Sequence, residues 1–355
     1  WGFYWTPELG FKVMPKPQGV FSVNPMGIND AGFVVGNAVM SGQGGYGFLF
    51  DPQTEQYAFL QPLHEGVIAT SVSAANAINN AGVVVGSRVI TEPGVSPVIS
   101  NAVIWKPFEK GSPVQDLGVM NGPNSSAEGG NTKPDAAGWA GNGMGTVSSR
   151  AIVWLNGKAQ DIGVLPGMVQ SQARRINTNR IVLGSSGESA FGPFHSFVWK
   201  DGEMHPFLPP QGYEVAGPAS INDVGQLAGS MRPTGTTMLH PFIWQHGQFY
   251  NVLSLIVDMP ANLVIDHVSR VGHDGRMLCR GSLSGKVVSV LLTPINQPLT
   301  DLNHDCATNT HDLLILLEQW GPAPTNATGG VPIADFNGDG RVDVLDLLIL
   351  LGNWG

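Results

Sequence analysis

Charge is scarce in this sequence: Asp, Glu, Lys and Arg together make up 13% of its 355 residues, about half the share usual in soluble domains. The basic sign is the scarcer one, with 18 Lys and Arg against 27 Asp and Glu and a net charge of −9. A chain without a basic surplus has little with which to neutralise phosphates, so nucleic acid is not expected as a partner. Long apolar runs are missing too: the leucine-rich stretches 313–317 and 347–351 are five residues long, whereas a membrane helix needs about 18 or more. No membrane span is expected. Cysteine is reduced to Cys279 and Cys306, which allow one intramolecular bridge at most. Neither GxSxG, HExxH, a phosphate loop nor a paired Cys–His pattern occurs, and no catalytic residue is assigned. The chain opens at Trp1 without a Met, a basic region or an apolar leader, so any signal peptide is expected to have been removed or left out.

What the sequence does have is glycine and proline, 47 and 26 of them, a composition that favours turn-rich β structure over helices. Its acids are unevenly placed. Residues 301–355 hold eight acids and the single base Arg341, while residues 1–300 are nearly neutral. A chain of this length usually holds about two domains, and the change of composition divides it into residues 1–293, a Pro-containing linker 294–300, and residues 301–355.

The first part is repetitive. INDAGFVVG (28–36) returns as INNAGVVVG (78–86), INTNRIVLG (176–184) and INDVGQLAG (221–229), with weaker copies at 135–141 and 271–279. Gly36, Gly86, Gly141, Gly184, Gly229 and Cys279 are aligned at one repeat position. A second element alternates with the first and ends at Trp5, Phe50, Trp105, Trp154, Trp199, Trp244 and Leu292, spaced 45 to 55 residues apart. Each period supplies about four short strands, the pattern of a propeller blade. The expected fold is therefore an all-β, six-bladed β-propeller, seven blades being the alternative because the aromatic strand occurs seven times. Strands from the two ends of the repeat region are expected to share one blade, which would remove free sheet edges. The isoleucines 28, 78, 176 and 221 are expected between blades, Asn-x-x-Gly in the hairpin loops, and the repeated Trp in the core.

These residues, Ile-Asn-x-x-Gly-x-Val-Val-Gly followed by strands such as HSFVW (195–199) and HPFIW (240–244), resemble the extracellular HAF-type repeat. The resemblance implies an exported protein and no particular reaction. His195 and His240 share one repeat position and could face each other around a metal, although histidines of a blade turn are the simpler reading. Glu128, Glu188, Glu203 and Glu214 are the carboxylates from which a glycoside-cleaving pair could be drawn.

The second part carries an internal duplication, DLNHDCATNTHDLLILLEQWG against DFNGDGRVDVLDLLILLGNWG, aligned without a gap at an offset of 34 residues. Oxygen donors at loop positions 1, 3, 5, 9 and 12 are what a hard cation requires. The first loop offers Asp301, Asn303, Asp305, Asn309 and Asp312; the second offers Asp335, Asn337, Asp339, Asp343 and Asp346. Two Ca2+ sites are expected, the second the tighter, because Cys306 replaces the loop glycine that Gly340 provides and Asn309 is neutral where Asp343 is charged.

Paired short loops, each followed by one helix, with Asp at position 12, resemble a type I dockerin, a small α-helical module of paired EF-hand-like loops. The resemblance implies a cohesin-like protein or other cell-surface component as partner, and contacts through Thr310 and His311 in the first half and Val344 and Leu345 in the second. Each helix here closes on Trp-Gly, a departure from the family pattern. In an exported protein Cys279 and Cys306 are expected to be bridged, two unrelated thiols being the alternative. Three functional readings follow. The chain is a secreted or cell-surface calcium-binding docking or adhesion protein, with polysaccharide a further partner; or a carbohydrate-active enzyme, a polysaccharide lyase or glycoside hydrolase, on a propeller scaffold; or a structural component of a surface layer or filament.

Overall fold

A computed structural model describes the whole chain except residues 1, 7–9, 43, 62–71, 142–148, 190, 246, 258, 273, 295–299, 303–307, 323–333, 337–340 and 355. Short runs of β-branched and aromatic residues form its strands, and glycine-containing turns separate them. In several hairpin loops both central residues take positive φ: Asn156–Gly157 at 52° and 77°, Asp201–Gly202 at 53° and 91°, Ser284–Gly285 at 50° and 80°. Such turns match the right-handed twist of the strands they join.

The strands assemble into six antiparallel sheets, the six blades of a β-propeller. Blade 1 comprises Val20–Ile28, Val34–Met40, Gly44–Asp51 and Gln56–Phe59; blade 2, Ser73–Ile78, Val84–Val89, Ser100–Trp105 and Val114–Asp116; blade 3, Asn124–Gly130, Ala136–Gly141, Arg150–Leu155 and Lys158–Asp161. Blade 4 comprises Gln170–Ile176, Val182–Gly187, Phe194–Lys200 and Glu203–Pro206; blade 5, Tyr213–Ile221, Leu227–Pro233, His240–Gln245 and Gln248–Asn251. Blade 6 shows three strands among the described residues, Leu263–Val271, Met277–Leu283 and Lys286–Leu292. The first strands of successive blades touch one another, so they are the inner strands and line the centre. The repeated tryptophan is core as expected: Trp105, Trp154 and Trp199 are buried and Trp244 packs against Phe242. Ile176 is buried too, but Ile28 of blade 1 is exposed.

Every inner strand carries an extra residue at one repeat position, and those of blades 1, 5 and 6 carry a second nearer their start. The register shifts between Pro25 and Gly27, Ala75 and Ala77, Ala127 and Gly129, Ala173 and Arg175, Pro218 and Ser220, and Val268 and Arg270. Met26, Asn76, Glu128, Arg174, Ala219 and Ser269 are therefore bulge residues at one repeat position, and such bulges re-aim the chain locally. In blades 1 to 5 the partner strand answers with a glycine. A Cβ on Gly36, Gly86, Gly138, Gly184 or Gly229 would stand 1.8 to 2.2 Å from a carbonyl oxygen of the bulged strand, closer than any side chain tolerates. In blade 3 this residue is Gly138, not Gly141, because the hairpin there starts at Asn131. Cys279 takes the position in blade 6, opposite Val268.

The hairpin asparagines do more than turn the chain. Each Oδ1 accepts the main-chain N–H four residues on, as Asn177 does from Ile181 at 2.9 Å. Each Nδ2 then donates to the carbonyl of the equivalent residue in the next blade: Asn29 to Asn79 at 3.2 Å, Asn79 to Asn131 at 2.6 Å, Asn131 to Asn177 at 3.1 Å, Asn177 to Asn222 at 3.0 Å and Asn222 to Gly272 at 2.9 Å. This ladder ties six blades together and ends at Gly272, which has no amide to pass it on.

The ends do not share a blade. Phe3–Thr6 pairs with Gly10–Val13 in a separate two-stranded sheet, closed by Met14 N–H donating to Gly2 O at 2.9 Å. Tyr4 and Met14 are buried with Val34, Phe48 and Phe50, so this hairpin gains its apolar burial on blade 1 instead of completing blade 6.

Candidate metal centre and docking surface

The two halves of the C-terminal region fold alike. Helix α1 spans Thr310–Glu318 and helix α2 spans Val344–Gly352, and each begins at a capping box. Asn309 Oδ1 accepts from His311 N–H and Asp343 Oδ1 from Leu345 N–H, both at 2.8 Å. The carboxylate three residues on reaches back: Asp312 Oδ2 accepts from Asn309 N–H at 2.8 Å and Asp346 Oδ2 from Asp343 N–H at 2.9 Å. A carboxylate in the first turn also complements the helix dipole.

The other oxygen of the same carboxylate closes the loop. Asp312 Oδ1 accepts from Leu302 N–H at 2.5 Å, and Asp346 Oδ1 from Phe336 N–H at 2.7 Å. Loop position 12 is thereby pinned next to position 1, Asp301 in the first half and Asp335 in the second. Asp301, Asp312 and Asp346 are buried, in a region with eight acids and one base. Buried carboxylates at this density need positive charge close by, and oxygen donors spaced in this way suit a hard cation such as Ca2+. Asn303, Asp305, Asn337 and Asp339 lie outside the described residues, as does Cys306. Leu302, Leu316, Ala334, Val342 and Leu350 form the small core between the halves, and Gly321–Pro322 pairs with Arg341–Val342 across it.

The helices keep a second apolar face outside. Leu314, Leu317 and Trp320 following α1's first turn are exposed, and so are Leu348, Leu351 and Trp354 at the same positions of α2. The resemblance-based contact residues Thr310, His311, Val344 and Leu345 are exposed as well, in the first turns of the two helices. Steps of three and four residues separate these positions in each half, so each set forms one stripe. The stripes match in their Leu and Trp and differ at the first turn, polar in α1 and apolar in α2.

Elsewhere the expected sites are dispersed. His195 Nε2 lies 3.4 Å from Glu188 Oε1 within blade 4, and His240 Nδ1 lies 3.5 Å from Tyr213 Oη within blade 5. Glu203 contacts His205 at 3.3 Å and Glu214 contacts Arg232 at 3.0 Å, so these acids hold neighbours in their own blades. Glu128 Oε1 accepts from Trp139 Nε1 at 3.2 Å. Cys279 is a free, buried thiol, packed among Val268, Ile265 and Val290, and not one half of a bridge. Burial pushes its pKa up to about 11.

Residues 299–352 match the dockerin type I domain, a family that binds calcium and cohesin partners. Residues 5–97 match a family described as a protein of unknown function, DUF3466, where the sequence alone suggested the HAF-type repeat. No curated protein matches the chain. Several solved structures align with the chain at low identity. A puromycin-hydrolyzing peptidase of Mycobacterium tuberculosis aligns with 78% of this chain and 44% of its own, at 14% identity and a TM-score of 0.49. An acylaminoacyl peptidase of Pyrococcus horikoshii aligns with 74% of this chain and 43% of its own, at 11% identity and a TM-score of 0.39. An ulvan lyase from a new polysaccharide lyase family aligns with 78% of this chain and 87% of its own, at 11% identity and a TM-score of 0.37. The chain spans less than half the length of the two peptidases. No described helix is long and apolar enough to cross a membrane. The C-terminal region is thus similar to a type I dockerin, carried beside a six-bladed propeller.

Proposed function

We propose that this is an exported, non-catalytic docking protein: its C-terminal module binds two calcium ions and, once folded around them, presents its helical stripes to a cohesin-like partner, leaving the propeller free to engage a cell-surface component or polysaccharide. The carrying observation is the paired geometry, in which each position-12 carboxylate is locked both to the loop start and to the helix cap. Asp301, Asn303, Asp305, Asn309 and Asp312 would hold one ion, and Asp335, Asn337, Asp339, Asp343 and Asp346 the other, at oxygen distances of about 2.3 to 2.6 Å. The bound ions would supply the charge that lets the two loops fold. Export is supported by the dockerin match and by the HAF-like repeat, and the exposed Leu and Trp of both helices supply the apolar anchors that interfaces use.

Calorimetry of the intact chain with Ca2+ tests the metal reading, and capture by an immobilised cohesin domain, in Ca2+ and in EGTA, tests the docking reading. Two binding events are expected, of which D346A removes one, together with Ca2+-dependent capture. Absence of any heat at millimolar Ca2+ would overturn the metal reading; Ca2+ binding without capture by any cohesin would overturn the docking reading alone.

A further inference from the structure

Two residues before the hairpin asparagine, the inner strand carries a small residue in four blades, Gly27, Ala77, Gly129 and Ser220. In blades 4 and 6 the same position is an arginine, Arg175 and Arg270, and beside Arg175 stands the bulge residue Arg174. Blade packing does not ask for arginine here, because four blades make the same strand without it.

These arginines are also unlike most of the others in the propeller. Arg150, Arg180, Arg232, Arg276 and Arg280 each hold a carboxylate. Among the described residues, no carboxylate lies within ion-pair distance of Arg174, Arg175 or Arg270. Arg175 Nη1 donates to the main-chain oxygens of Arg174 at 2.8 Å and Glu128 at 3.5 Å. Arg270 Nη1 donates to Ser269 O at 2.8 Å, and Arg174 Nη2 to Gln172 Oε1 at 3.5 Å.

Arg174 and Arg270 are exposed and Arg175 is half-buried. Burial, and then the charge of Arg270, pull the Arg175 pKa down to about 10, with Glu128 opposing them. Both guanidiniums stay charged at neutral pH. Like charges in thin solvent are unfavourable until a counter-charge arrives. A cleft of about 170 Å3 opens between blades 4 and 5, lined among others by Arg174, Arg175, Ser185, Ser196 and Pro218, with Arg270 outside its lining, on the inner strand of blade 6. It adds hydroxyl donors to the guanidinium forks and has room for one oxyanion group with a few waters.

We propose that Arg174, Arg175 and Arg270 form an oxyanion site at the centre of the propeller that takes a carboxylate, presented either by a small free acid or by an acidic sugar unit of a glycan. Guanidinium forks suit the two oxygens of a carboxylate. The site is independent of calcium binding and docking at the C-terminal module.

The test is calorimetry and thermal unfolding of the full calcium-loaded chain at low ionic strength, with citrate as the free acid, trigalacturonate as the glycan and maltotriose as the neutral control. At least one acid is expected to bind and to raise Tm, while maltotriose does neither. R175Q and R270Q should each weaken binding at least about tenfold, and without ligand each should melt at or above the native temperature, because an uncompensated charge has been removed. Tighter citrate assigns the site to free acids, and tighter trigalacturonate to glycans. Should R175Q fold poorly, R270Q carries the comparison, since its described bond is to its own neighbour's carbonyl. Binding of neither acid by the native chain, equal binding by maltotriose, or unchanged binding by the R175Q/R270Q double variant would overturn the proposal.

Discussion

Asn177 is the most informative rung of the asparagine ladder to remove. It is buried, its Oδ1 accepts from Ile181 N–H at 2.9 Å, and its Nδ2 donates to Asn222 O at 3.0 Å. Asn177→Ala orphans one donor in its own hairpin and one acceptor in the next blade. Each such group costs about 1 to 3 kcal/mol, so the sum is about 2 to 6 kcal/mol, some of it recovered where water enters. Asn177→Asp separates the two bonds. The aspartate keeps the acceptor that closes the hairpin but loses the donor, and it turns a negative oxygen toward the Asn222 carbonyl.

At neutral pH the aspartate variant should therefore be at least as unstable as the alanine one. Burial against a carbonyl would raise the folded-state pKa of the new carboxyl above its unfolded value. A group shifted in that direction contributes stability at low pH and loses it as pH rises through the folded pKa. N177D should consequently recover relative to N177A as pH falls, because a protonated carboxyl again donates to Asn222. Urea unfolding followed by tryptophan fluorescence at neutral and mildly acidic pH measures both. If N177D matches the native chain at neutral pH, the link between blades contributes nothing and the ladder is incidental to stability.

Other consequences are simpler to check. Gly184→Ala would place a Cβ 2.2 Å from Gln172 O and 2.3 Å from Phe197 Cζ, and chemical denaturation should show a loss of about 3 kcal/mol, the upper end of overpacking costs. Asp135, fully buried, is held by Arg180 at 2.9 Å; burial pushes its pKa up, but bonds from Arg180, Asn131 and the Asn156 main chain outweigh that and leave it lowered. Its stabilisation should thus be present above the ordinary carboxylate range and fade as pH falls through the folded value, and Arg180→Ala should cost about 3 kcal/mol and flatten that acid dependence in pH-resolved melts. With its pKa near 11, Cys279 should react with a thiol reagent at mildly alkaline pH only as fast as the blade opens; labelling of the native chain at the rate of a free thiol would refute its burial.

Much of the fold is legible because repetition exposes it. The 45 to 55 residue period, the aromatic strand and the positive-φ dipeptides each recur, so the propeller and its hairpins follow from pattern, while seven copies of the aromatic strand leave six and seven blades both open. The duplicated C-terminal loops are legible for the same reason, since a duplication without a gap displays every candidate donor position twice. The ladder is hidden because a hairpin turn is already a sufficient reason for each asparagine, and its second partner lies 45 to 52 residues away. The bulges are hidden because one extra residue in a strand leaves no mark in composition; the aligned Gly141 marked the wrong residue of blade 3 for that reason. The N-terminal hairpin could pair with blade 6 or pack on blade 1 with equal sequence logic, and what decides is how Tyr4 and Met14 fit against Phe48 and Phe50. Cys279 and Cys306 invited pairing because there are two of them, yet pairing depends on where their side chains point.

Charge shows most clearly how a chain-wide number and a site can part. The first 300 residues are nearly neutral, and that rightly argues against the broad basic surface on which nucleic acids bind. Neutrality over a domain still permits separation within it. Arg150, Arg180, Arg232, Arg276 and Arg280, none of them on an inner strand, are matched by Asp161, Asp135, Glu214, Asp274 and Asp266, whereas Arg174, Arg175 and Arg270 lie on the inner strands of blades 4 and 6 with no carboxylate at ion-pair distance among the described residues. Blades deliver their first strands to one place, so residues about a hundred positions apart add their charges there. A site of that kind is written in which repeat position departs from its neighbours, and a residue count cannot contain it.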